Sequence, residues 1–166
     1  MSLQDEITAR SSKIFRESYQ MSIGELINLY KDGEMDIHPE FQRVFRWTEY
    51  QKTKLIESIM LNIPIPSIFV SQNEDGVWDV IDGVQRLSTI FQFVGIFKDE
   101  NDKLLPPLTL QKTDYLPSFA GVQWNSDSDD LSFTKEQQLF FKRSRIDIII
   151  MKKESAPILN TSFSND

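Results

Sequence analysis

Asp82, Gly83, Gln85 and Arg86 fall within the run Asp82-Gly83-Val84-Gln85-Arg86, directly after the apolar pair Val80-Ile81. Leu87, Ile90, Phe91 and Val94 follow at helical spacing, so the four residues sit at the mouth of a helix. Free amide hydrogens and partial positive charge at a helix start favour an anion. Gly83 permits a tight turn and close approach of a ligand. Arg86 can clamp a phosphate with paired hydrogen bonds. Asp82 can hold a Mg²⁺ ion riding on that phosphate, and Gln85 can orient a water or read a ligand edge. The same residues also make an ordinary turn, in which Asp82 caps the helix, Gly83 turns, and Gln85 and Arg86 face solvent. Arg86 separates the two readings. A cation in the first helical turn opposes the helix dipole at a cost of roughly 0.3–1 kcal/mol, so some partner, internal or bound, must offset it.

A second segment could serve the same anion. Pro39-Glu40-Phe41-Gln42-Arg43-Val44-Phe45-Arg46-Trp47 interleaves Arg43 and Arg46 with three aromatics. Guanidinium groups beside aromatic rings grip phosphate and frame a stacked base; the bland alternative is that the rings anchor the loop while the arginines pair with surface acids. His38, the only histidine, reads as a solvated loop residue. Asp127, Asp129 and Asp130 lack the glycine and terminal glutamate of an EF-hand loop and read as solvated. Lys142, Arg143 and Arg145 end a helix, where cations suit the dipole.

The elements that must position these residues announce themselves by capping boxes. Ser22 with Glu25, Thr48 with Gln51 and Thr134 with Gln137 open helices over "IGELINLYKDG", "EYQKTKLIESIML" and "KEQQLFFKR". Ile63-Pro64-Ile65-Pro66 stops the second helix. "SIFVSQ" and "VWDVI" read as strands joined at Asp75-Gly76, and "RIDIIIMKK" reads as a third strand. Residues 98–131 are polar, proline-bearing and aperiodic apart from a short strand expected at "LTL", and are expected to form a long, mobile surface excursion. The order is helix, basic loop, helix, hairpin, helix, long loop, helix, strand, which predicts a mixed α+β domain with a small sheet. The expected boundaries are one domain over 1–153 and a tail over 154–166.

Composition narrows the function classes. With 166 residues, 40% hydrophobic and 26% charged, the chain suits one globular unit. No apolar run approaches the roughly 20 residues of a membrane span. The absence of cysteine removes disulfides and thiolate metal sites and agrees with a cytoplasmic setting. One histidine cannot build a multi-histidine zinc site or a His-Asn-His nuclease site. A formal charge of −7 disfavours sequence-independent DNA binding. The basic residues gather over 41–54 and 142–153, which leaves room for a local anion site.

Read together, "PEFQRVFRWTEYQKTKLIESIMLNIPIPSIFV" and "VWDVIDGVQRLSTIFQF" resemble the GmrSD-type domain family. Its pattern runs Tyr/Phe-Gln-Arg, a Trp four residues beyond that Arg, a Gln just inside the next helix, Pro-Ile/Leu-Pro before a strand, and Asp-Gly-Gln-Gln-Arg-Leu-Thr-Thr. The resemblance spans roughly residues 20–97 in order. It implies a ParB/sulfiredoxin-like fold, a small mixed sheet packed by several helices. It also implies a nucleotide-binding, and in some members NTP-hydrolysing, module of a phage-defence or modification-dependent restriction system. Carried over by position, Arg43, Trp47, Gln51, Asp82, Gly83, Gln85 and Arg86 match. Asp82 and Gln85 become the catalytic candidates, and Asp82 also the Mg²⁺ ligand. Arg43, Arg46, Gln51, Gly83, Arg86, Ser88 and Trp47 become the nucleotide-binding set. The partners implied are a nucleoside triphosphate and, through a partner or a separate nuclease domain, DNA. A different class of reading is a non-catalytic sensor that binds DNA or a protein partner.

Three departures stand out. Val84 replaces the family's first glutamine, which weakens hydrolysis more than binding. Leu87-Ser88-Thr89 keeps hydroxyls where the family has threonines. "PILNTSFSND" keeps Leu159-Asn160-Thr161 without the Gly-Gly that follows in the family, as expected for a fragment or a minimal relative.

Overall fold

Ser22, Thr48 and Thr134 each place a side-chain oxygen on the amide three residues on, and at Thr48 and Thr134 the glutamine completes the reciprocal capping box. The computed structural model describes residues 2–11, 16–38 and 46–152. The chain runs α1 (Leu3–Ser11), β1 (Arg16–Ser22), α2 (Ile23–Lys31), β2 (Met35–Asp36), α3 (Glu49–Met60), β3 (Ile68–Gln72), β4 (Trp78–Asp82), α4 (Val84–Phe93), α5 (Lys135–Arg143) and β5 (Arg145–Lys152). The three helix starts marked by capping residues and the hairpin at Asp75-Gly76 stand where the sequence puts them. α1 and β1 carry no periodic apolar signal: α1 buries no residue and β1 is exposed over its first five positions.

Among the described residues, the strands form one mixed sheet in the order β1-β5-β3-β4-β2. β1 is antiparallel to β5, β5 parallel to β3, β3 antiparallel to β4, and β4 parallel to β2. The fold is therefore mixed α+β. β5 alternates: Ile146, Ile148 and Ile150 are buried, as period-2 geometry requires of a strand facing a core on one side. α2 packs against α5 and α3 against α4.

Residues 98–131 are not a loose surface excursion. Leu108, Leu110 and Val122 are buried in the core, and Phe119 and Trp124 pack on it. The "LTL" run forms no strand, but the Leu110 amide donates to Val122 O at 2.8 Å and the Gly121 amide to Leu110 O at 2.9 Å. The apolar residues are too widely spaced to show a period, yet each packs into or onto the core.

Glu57 on α3 is 2% exposed and pairs with Lys54. Burial pushes its carboxyl up, but hydrogen bonds from Lys54 and Thr113 outweigh this and hold it below the ordinary value of 4.5. The unfolded chain then binds the proton more tightly than the folded one. The stabilisation is present above the ordinary value and is lost as pH falls through the lowered one. Urea midpoints of wild type and Glu57→Gln are expected to differ above the ordinary value of 4.5 and to converge as pH falls below it; curves that stay parallel would refute the assignment.

Candidate functional site

α4 carries two sets of residues on two faces. Leu87, Ile90 and Phe91 are fully buried. Gln85, Ser88, Thr89 and Gln92 recur at i, i+3, i+4 and i+7, which places them along one flank of the helix. That flank forms one wall of a cleft of about 260 Å³. Glu49 and Lys52 of α3 and the exposed Arg46 form a second wall, and Asp99 and Glu100, from the segment after α4, close it. The cleft thus runs along the side of α4 rather than across its tip.

Among the described residues, a hydrogen bond joins the two sequence segments here. The Trp47 backbone amide donates to Gln85 Oε1 at 3.2 Å, so the residue next to Arg46 is pinned to α4. Trp47 itself packs on the core. Lys52, with its side chain 12% exposed, donates to Gln92 Oε1 at 2.9 Å and lies 3.4 Å from Glu49. Thr89 Oγ1 donates to the Gln85 carbonyl at 2.7 Å. Ser88 is 5% exposed, and its Oγ has no hydrogen-bond partner among the described residues. A buried hydroxyl without a partner is costly to leave in place, and this one borders the cleft.

Helical geometry divides the Asp82-to-Arg86 run. Gln85 faces the cleft, and Arg86, one position on and about 100° round the helix, does not line it. The Arg86 side chain is only 15% exposed. Its Nη2 donates to the Ser67 carbonyl at 2.9 Å and lies 3.7 Å from Asp82 Oδ2. Burial pulls the Arg86 guanidinium below its ordinary range, and the Asp82 carboxylate opposes that. The partner that offsets this cation in the first turn is therefore internal. Asp82 does not cap the helix: Gly83 is the N-cap residue, at φ +108°, with no side-chain cap. Gln51 is occupied in the capping box, its Oε1 accepting from the Thr48 amide at 2.8 Å. Val84 packs on the core. Arg43 lies outside the described residues. Asp127, Asp129 and Asp130 are exposed, whereas His38 is part-buried beside Asp36 and Asp79 rather than solvated.

The sequence profile of the GmrSD restriction endonuclease N-terminal domain matches residues 23–165. The chain belongs to this family. Searches of curated proteins and of solved structures found no match. As a GmrSD N-terminal domain, the chain is part of a restriction-type system that acts in phage defence. No helix of the described residues is long and apolar enough to cross a membrane. Reading this GmrSD domain by motif alone misses Glu49, Lys52, Gln92, Asp99 and Glu100. The polar stripe 85, 88, 89 and 92 was legible as the complement of the apolar face of α4. The acids of "DENDK" carried no such signal, because only the fold brings them back over the helix.

Proposed function

We propose that the cleft along α4 binds the phosphates of a nucleoside triphosphate, and that the domain is the nucleotide-responsive module of its restriction-type system. The observation that carries this reading is the buried, unpartnered Ser88 hydroxyl on a cleft that also holds Arg46, Lys52 and Gln85. Ser88 has a donor to spare for a phosphate oxygen, and the two cations flank the same space. Arg43 belongs to the same proposed set, and Gln85 is the candidate for orienting a water. Gln51, Trp47 and Gly83 act at one remove: Gln51 caps α3, Gly83 turns the chain into α4, and Trp47 bonds Gln85 through its amide. Mg²⁺ carried by the phosphates would neutralise their charge beside Glu49, Asp99 and Glu100; Asp82 serves by holding Arg86. Hydrolysis is expected to be weak or absent, because Val84 cannot position a water, and Val84→Gln is the rescue to try. DNA enters through a partner or a separate nuclease domain.

Calorimetry of each NTP with Mg²⁺ tests the reading. Arg46→Ala is expected to lower affinity about tenfold, or roughly 1.4 kcal/mol, with stability unchanged. Arg86→Ala, by contrast, is expected to cost about 2 kcal/mol of stability by stranding the Ser67 carbonyl and Asp82. If no NTP binds more tightly than about 1 mM, the reading fails for this chain.

A further inference from the structure

Asp36 and Asp79 are directly paired across β2 and β4. Like charges opposite one another weaken a strand pairing, and β2 is only two residues long. Met35 and Ile37 are buried, so Asp36 and His38, at alternate positions of the same extended stretch, share the other face. His38 Nε2 lies 3.4 Å from Asp79 Oδ1 and 3.7 Å from Asp36 Oδ2. One ligand atom from each of the three residues lies within 4.8 Å of the others. Asn73, in the β3–β4 hairpin, donates from Nδ2 to Asp79 Oδ2 at 3.1 Å. That bond orients the carboxylate and leaves its other oxygen toward the imidazole, the arrangement in which an outer partner holds a metal ligand in place.

We propose that Asp36, His38 and Asp79 form a binding site for a divalent transition-metal ion of the zinc class. One imidazole nitrogen and two carboxylate oxygens suit Zn²⁺, and imidazole discriminates against Mg²⁺ and Ca²⁺, which prefer all-oxygen shells. A protonated imidazole balances one carboxylate; a divalent ion balances both. The side chains are 33%, 36% and 56% exposed for His38, Asp79 and Asp36, so they have freedom to close to the roughly 2.0–2.2 Å that zinc requires. Three protein ligands leave a coordination position open. Asp36 and His38 line a second cleft of about 650 Å³, which shares Asp99 and Glu100 with the cleft along α4. None of the three ligands lines the α4 cleft, so this site stands or falls apart from nucleotide binding.

The composition makes the test clean, because the chain has one histidine and no cysteine. Tag-free protein titrated with ZnCl₂ is expected to take up one Zn²⁺ per chain. The single imidazole Hε1 resonance should move to saturation at one equivalent. His38→Ala and Asp79→Asn should each lower affinity by more than about tenfold, and Asn73→Ala by about tenfold through lost orientation. Circular dichroism of each variant distinguishes lost ligation from lost fold, and the resonance in the wild-type chain decides the matter if a variant unfolds. An imidazole resonance that ignores Zn²⁺, uptake unaltered in a folded His38→Ala, or equal saturation by MgCl₂ would each overturn the proposal.

Discussion

Phe93→Ala is expected to destabilise the domain by about 4 kcal/mol, the usual range for removing a buried ring. Phe93 is fully buried at the end of α4. It meets Trp124 at 5.6 Å, Phe133 at 5.0 Å and Phe141 at 5.6 Å, all edge-to-face. Trp124 comes from the long segment after α4, Phe133 from the residues before α5, and Phe141 from α5 itself, so one ring ties three parts of the chain together. The substitution leaves a cavity that four elements cannot jointly collapse. A domain of this size should lose roughly 10 °C of melting temperature. The amides of Leu110 and Gly121, which bond across the long segment, should lose hydrogen-exchange protection with it. A loss below about 1.5 kcal/mol, or protection retained at those amides, would show that the segment does not depend on the aromatic cluster.

Gly83→Ala is expected to cost about 3 kcal/mol. Part is backbone strain: at φ +108° an L-residue pays roughly 1–2 kcal/mol for leaving its allowed regions. The rest is overlap. A Cβ at Gly83 would collide with Ile68 Cδ1 and come within 3.3 Å of Arg86 Nη2. Ile68 is fully buried, so its end methyl cannot swing aside freely, and overpacking of this kind costs roughly 1–3 kcal/mol. The two parts can be separated by denaturant titration. Ile68→Val in the Gly83→Ala background should recover part of the steric share and leave the strain. A Gly83→Ala protein as stable as wild type would mean that the turn can be remade without the left-handed residue.

These two positions show how far the sequence carries. The glycine of Asp82-Gly83 was legible as a turn residue, since only glycine adopts that conformation cheaply. Its contact with Ile68 was not, because that isoleucine is fifteen residues away on the neighbouring strand. The capped helices, the hairpin and the β5 strand were legible because each is specified by residues within a few positions of one another. α1 and β1 were not, since β1 is defined by its partner β5 rather than by its own pattern. Phe93 and Phe141 could be placed on helices, but not in one cluster with Trp124.

The candidate site divides the same way. By itself, the sequence determined the mixed α+β class, the helix starts and the family pattern over Asp82 to Arg86. The tertiary structure alone decided which of those residues share a cleft. A helix turns each successive side chain by about 100°, so Gln85 and Arg86, adjacent in sequence, serve different surroundings. Arg86 is held by Ser67 and Asp82, and Lys52, Asp99 and Glu100 join Gln85 from elements far along the chain. The pairing of Asp36 with Asp79 beside His38 has the same origin. Strand register brings together residues more than forty positions apart, and no local pattern encodes a register between two strands separated by a helix and a further strand.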